Sequence, residues 1–106
     1  MAESQLRKGA IELVVLGLLE AKPSYGGEVL ERLRDEAGLE VSSGTIYPLL
    51  ARLRKTALVA TAWEESPVGP PRKIYKLTTA GRKRLTGLSE EWELLAQAVA
   101  IVTGKD

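Results

Sequence analysis

Nine lysines and arginines fall between residues 43 and 84 against only Glu64 and Glu65, a segment charge of +7. The flanking segments 1–42 and 85–106 carry −3 each, so a chain of net charge +1 is strongly polarised. The chemistry this offers is neutralisation of a polyanion, with nucleic acid the leading example. A solvated charged face is the plainer account, and a charge run alone does not decide between the two. Covalent chemistry has little to work with. Histidine and cysteine are both missing from the sequence, which removes the commonest general base, the commonest metal ligand and every thiolate. No glycine-rich phosphate loop, metal-ligand cluster or nucleophile–base pair stands in the chain. No enzymatic activity, cofactor or metal site is therefore expected.

The sharpest pattern in the basic segment is SSGTIYPLLARLRK, residues 42–55. On a helical wheel Leu49, Leu50, Leu53 and Ala57 fall within about 60° of Ile46. Gly44, Thr45, Pro48, Ala51, Arg52 and Lys55 take the opposite half, with Tyr47 at the edge. Small residues at 44, 45 and 51 allow such a helix to approach a duplex closely, and the free N–H groups of its first turn suit a phosphate. Pro48 removes one donor near the start, and Tyr47, preceding a proline, is disfavoured in the α region, so a slightly irregular first turn is expected. Outside this helix, Tyr25 stands beside the same surface, and Arg72 and Lys73 sit at the base of a proline-rich loop. The candidate nucleic-acid contacts are Tyr25, Ser43, Gly44, Thr45, Tyr47, Pro48, Arg52, Lys55, Arg72 and Lys73. Each has a duller alternative. Ser43 and Thr45 serve equally as helix caps, Tyr25 and Tyr47 as lids on the core, and Arg72 and Lys73 as solvated charges. Arg54 is assigned to the flank, and Lys76, Arg82, Lys83 and Arg84 to long-range attraction only.

The elements that must position these residues follow from periodicity. Residues 5–20 read as a helix with two apolar stripes, Leu6–Ala10–Leu13–Gly17 and Ile11–Val14–Val15–Leu18, which implies two packing partners. Pro23 ends it, Ser24 is the expected N-cap of a second helix, and Gly38 stops that helix. LEVS, residues 39–42, reads as a brief strand. The third helix covers about 43–56. Residues 58–63 and 73–78 read as strands, with Trp63 expected to pack within the hairpin and Pro67, Gly69, Pro70 and Pro71 stiffening the tip. From Thr79 to about Gly104, Leu85, Leu88, Trp92, Leu95, Val99 and Val102 recur at alternating steps of three and four. That is a seam for another helix, on an element about 37 Å long at 1.5 Å per residue. Packing onto its own domain is the alternative; a narrow stripe of this kind favours dimerisation. The expected dimer residues are Leu6, Ala10, Leu13, Leu85, Leu88, Trp92, Leu95, Val99 and Val102.

Helix, helix, short strand, helix, hairpin and long helix is the order of a winged helix-turn-helix with an added dimerisation helix, a mainly α fold with a small β component. Residues 1–78 form the expected DNA-binding unit and 79–106 the dimerisation helix, in one compact structural unit. The longest apolar run, Val14 to Leu19, is too short to cross a bilayer, and no signal pattern opens the chain, so a cytoplasmic protein is expected.

LRKGAIELVVLGLL (6–19), SYGGEV (24–29), VSSGTIYPLLARL (41–53), Leu58–Val59, Trp63, PPRKIYKLTTAG (70–81) and Trp92 together resemble the PadR-like transcriptional regulators, in the short form with a single C-terminal helix. The resemblance spans nearly the whole chain, and GTIYPLL followed some twenty residues later by RKIYKLT is far more specific than a generic helix-turn-helix pattern. It implies a bacterial homodimer that binds a palindromic operator in double-stranded DNA, usually as a repressor, and releases it when a small hydrophobic or aromatic effector binds near a tryptophan. Trp92 matches that position and is the candidate ligand platform. Two departures stand out. Relatives usually carry glycine where this chain has Ala57, which suits a left-handed helix terminus, so the turn into the hairpin is expected to differ. Gly27 stands where many relatives have a larger residue. The competing reading is a winged-helix module that meets an acidic protein and binds no DNA.

Overall fold

Ser4 opens the first helix with a side-chain cap: its hydroxyl accepts from the Arg7 N–H at 3.0 Å. The computed structural model describes residues 4–105. Helix α1, Gln5–Ala21, buries Ile11, Val15, Leu16, Leu18 and Leu19. Of its two apolar stripes, the one through Ile11 and Val15 turns to the core, while Leu6 stays exposed and Ala10 and Leu13 are half-covered. Strand β1 is two residues, Ser24–Tyr25, and runs directly into α2, Gly26–Ala37. The position of β1 corrects two expectations. Ser24 is no helix cap: it is fully buried, its hydroxyl donating to the Lys22 carbonyl at 3.2 Å and accepting from Arg32 Nη1 at 2.9 Å. Residues 39–42 form no strand; the short strand lies fifteen residues earlier, where Ser24 and Tyr25 pair with Tyr75 and Ile74. The backbone there is claimed by a sheet edge that local propensity does not reveal.

Helix α2 stops at Gly38 as expected. Its third residue, Glu28, takes an ion pair from Lys22 Nζ at 2.8 Å, joining the end of α1 to the start of α2. The pairing, together with a hydrogen bond from the backbone of Tyr25, holds the Glu28 carboxyl below its ordinary range against an opposing push from desolvation. Helix α3, Ser43–Lys55, buries Ile46, Leu49, Leu50 and Leu53, the four residues its spacing marked. It runs through Pro48 without a break. The irregularity is confined to its threshold, where the Ser42 carbonyl accepts from both Thr45 and Ile46, at 3.0 and 3.1 Å.

The exit from α3 is where Ala57 stands, and the departure from glycine leaves the turn intact. Ala57 takes φ 63°, the only non-glycine residue with positive φ among the described residues. The Leu58 N–H reaches back to the Leu53 carbonyl at 2.9 Å and the Ala57 N–H to Arg54 at 3.0 Å, the paired bonds of a left-handed helix terminus. Strands β2, Val59–Glu64, and β3, Arg72–Leu77, each begin one residue from the expected position. They pair antiparallel from Val59↔Leu77 to Glu64↔Arg72, and the sheet order is β1-β3-β2. Val59, Tyr75 and Leu77 enter the core beneath α1, α2 and α3.

Helix α4, Thr79–Thr103, starts at a hub. The Thr78 hydroxyl accepts from the Gly81 N–H at 3.0 Å and donates to the Ala57 carbonyl at 2.7 Å, while the Thr78 N–H reaches Leu58 at 3.1 Å. A Cβ at Gly81 would collide with the Leu58 carbonyl and the Leu77 side chain, so only glycine lets α4 leave the hairpin this closely. The helix then runs away from the body. Leu85 and Leu88 pack against the core, whereas Trp92, Leu94, Leu95, Val99, Ile101 and Val102 are exposed, Val102 by 85%. The radius of gyration, 15.2 Å, exceeds the roughly 13 Å of a compact chain this long. No described helix is long and apolar enough to cross a membrane.

Candidate nucleic-acid interface

The exposed side of α3 carries two neighbouring ridges at four-residue spacing, Gly44–Pro48–Arg52 and Ser43–Tyr47–Ala51–Lys55. Every one of these residues is exposed, Tyr47 by 46%, while Thr45 lies half-covered between the ridges and the body. The burial of Ile46, Leu49, Leu50 and Leu53 forces this presentation, because a helix that spends one side on the core must turn the other outward.

Each ridge borders a different groove. On the α1 side a groove of about 440 Å³ runs between Gly44, Thr45, Pro48 and Arg52 and the opposing Lys8 and Ile11. On the hairpin side Ala51, Arg54 and Lys55 face Lys73 and Tyr75 across a second groove of about 420 Å³. Three cations thus share one channel. Tyr75 also lines this channel, its hydroxyl pKa pushed up chiefly by desolvation and further by Tyr47, against an opposing effect of Arg54.

Strand alternation separates the two hairpin cations that the sequence groups together. Lys73 shares the face of Tyr75 and Leu77 and so turns toward α3, with its Nζ 5.6 Å from the ring centre of Trp63 on the opposite strand. Arg72 points to the other face, its guanidinium carbon 4.6 Å above the Tyr25 ring. Tyr25 is therefore a platform for Arg72, which fixes that cation at the edge of β1. Trp63 corrects the expectation of hairpin packing: it is 70% exposed, with Lys73 laid over it. Tyr47 rests on the start of α2, where a Cβ at Gly26 would run into its ring. At Gly27 an added Cβ would meet the Tyr25 ring at 3.3 Å, a contact that a small ring movement relieves.

Of the ten candidate contacts, Gly44, Thr45, Pro48 and Arg52 come together in one groove and Lys55 joins Lys73 in the other; Ser43 and Tyr47 stand on the crest, and Arg72 with Tyr25 lies apart. Three residues escape the sequence reading. Lys8 belongs to the acidic first segment, so the charge count hides it, yet it faces α3. Arg54 lies on the flank of the helical wheel, yet the hairpin folds back to meet it. Glu12, buried in α1, receives Arg52 Nη2 at 2.7 Å. One signal was legible: a lone carboxylate between Ile11 and Leu13.

The expected dimer residues divide. Leu6, Ala10 and Leu13 of α1 and Leu88, Trp92 and Leu95 of α4 line one groove of about 190 Å³, open along its length. Val99 and Val102 continue the stripe beyond the body, whereas Leu85 is spent within the chain. Among the described residues no group of three His, Cys, Asp or Glu is placed to hold a metal ion.

A family model described as the transcriptional regulator PadR-like family matches residues 15–87. A transcriptional regulator of Mycobacterium tuberculosis is 32% identical over 96 residues, covering 90% of this chain and 87% of that protein. Among solved structures, a PadR-like transcription factor from Bacteroides fragilis is 42% identical with a TM-score of 0.79, covering 92% of this chain and 94% of its own. A Streptococcus transcriptional regulator is 39% identical with a TM-score of 0.86, covering 95% and 99%.

Proposed function

We propose, from the premise that this chain belongs to the PadR-like family of transcriptional regulators, that it is a homodimeric repressor whose α3 enters the major groove of a palindromic operator. One observation carries the reading: Ala51 and Lys55 on the outward side of α3, with Arg54 beside them, and the hairpin cation Lys73 border a single basic channel. A duplex backbone supplies the matching line of phosphates. Gly44, Thr45, Pro48 and Arg52 then face base edges, with Ser43 and Tyr47 at the groove rim and Lys55, Arg72 and Lys73 on phosphate. Tyr25 supports Arg72 from below. Residues 1–78 do this work and 79–106 join two copies; residues 1–3 and 106 of that division lie outside the described residues.

The apolar side of α4 supports the dimer, since six large apolar side chains beyond Leu88 stay exposed among the described residues. The groove around Trp92 supports an apolar, planar effector, gripped when a second copy closes it; alone, its 190 Å³ falls short of an ordinary ligand pocket. Selection of bound sequences from random DNA, followed by salt titration, tests the reading. The selected site is expected to be a palindrome with half-sites about one helical turn, roughly 34 Å, apart. Log affinity should fall with log salt by about 0.9 per neutralised phosphate. A flat salt dependence, or a selected site without symmetry, counts against it.

A further inference from the structure

Glu12 is the odd residue of α1. It is 9% exposed, set between Ile11 and Leu13 on a helix otherwise given to packing. A carboxylate in such a place is costly unless paired, and an apolar side chain would fill the space without that cost. Its two oxygens go to two different elements. Oε1 accepts from Arg52 Nη2 of α3 at 2.7 Å, and Oε2 lies 3.7 Å from Arg84 Nε of α4. Three helices therefore meet at one buried charge, and one of the arginines it holds borders the groove with Gly44, Thr45 and Pro48.

We propose that Glu12 is a positioning residue for DNA recognition, holding the Arg52 guanidinium against α1 so that Arg52 reads sequence instead of wandering to a phosphate. The inference rests on the DNA-binding reading above. A guanidinium has five N–H donors in a rigid fork. The tie to Oε1 uses one edge and neutralises the charge locally, leaving the remaining donors aimed from a fixed point. An unrestrained arginine on the same ridge has the reach and the full charge to take a backbone phosphate, which strengthens binding to every sequence alike. Glu12 thus trades general affinity for discrimination.

Glu12→Gln keeps the shape and removes the charge. The experiment compares affinity for the selected duplex and for a duplex with one substituted base pair, across a salt series. In the variant the preference between the two duplexes should drop about tenfold, the scale of one lost base-edge contact. The salt slope should steepen by about 0.9, one more phosphate neutralised. In an Arg52→Ala background the same change at Glu12 should alter neither quantity. Should Glu12→Gln fail to fold, Glu12→Asp keeps the charge but withdraws it from Arg52, and the same two shifts are expected. A lower melting temperature with preference and slope unchanged would make Glu12 a structural ion pair only and overturn the proposal. A wild-type protein that binds the selected duplex with a steep slope, beside unresponsive variants, sinks the role of Glu12 alone. A wild-type protein with no salt-dependent binding removes the DNA reading and this inference with it.

Discussion

Replacing Ala57 by glycine should stabilise this protein, although the change removes a methyl group. Ala57 holds φ 63° at the exit from α3, in a conformation that costs an L-residue roughly 1–2 kcal/mol. Glycine escapes that cost but gives back about 0.5–1 kcal/mol through the greater freedom of its unfolded chain. The methyl group itself is exposed, so its loss opens no cavity. The net expectation is a gain centred on about 0.75 kcal/mol within a span of about 0 to 1.5, or about 3–6 °C in melting temperature at the centre for a chain of this size. The bonds that fix the turn, the backbone pairs Leu58 to Leu53 and Ala57 to Arg54 and the Thr78 hydroxyl to the Ala57 carbonyl, involve no side chain of residue 57 and should survive. Urea unfolding at matched protein concentration is the assay, because a dimer's midpoint depends on concentration. An unchanged urea dependence of the unfolding free energy would confirm that the gain is in stability and not in compactness. A destabilising Ala57→Gly would refute the reasoning, and with it the claim that alanine is strained at this turn.

Three other outcomes are expected. Gly81→Ala should destabilise by about 1–3 kcal/mol, measured by the same unfolding assay, since its Cβ has to displace the Leu58 carbonyl or the Leu77 side chain. The Glu28 carboxyl is held below its ordinary value, so its pairing with Lys22 contributes stability above the unfolded pKa and loses it as pH falls through the folded one. Glu28→Gln should therefore cost below about 1 kcal/mol near neutrality, and the gap from wild type should close as the solution is acidified past pH ~4. Trp92→Ala should weaken self-association by about 30-fold or more in sedimentation equilibrium, the scale of a central aromatic contact. An unaltered dissociation constant would place the seam elsewhere.

Spacing carried the helices well because their apolar repeats are local. Ile46, Leu49, Leu50 and Leu53 are buried as their period demanded, and α4 runs almost to the expected residue. What spacing does not carry is pairing across the chain. The two-residue strand at Ser24 is a strand only because Tyr75 and Ile74 lie beside it, and no local propensity announces that. The same limit explains the site. The residues on α3 were legible from its wheel, but Arg54 joins the channel only because the hairpin returns Lys73 to it, and Lys8 faces α3 only through the crossing of α1. Arg72 and Lys73 read as one basic pair until strand alternation sends them to opposite faces.

The ring of Tyr47 lying on Gly26 ties two distant positions into one inheritance. Any side chain at 26 larger than hydrogen must evict the ring, and the evicted ring belongs to the surface proposed to meet DNA. Mutational drift at a position that itself stands inside the body is thus policed by the outward face of another helix. Lineages that abandon the glycine should have abandoned the tyrosine first.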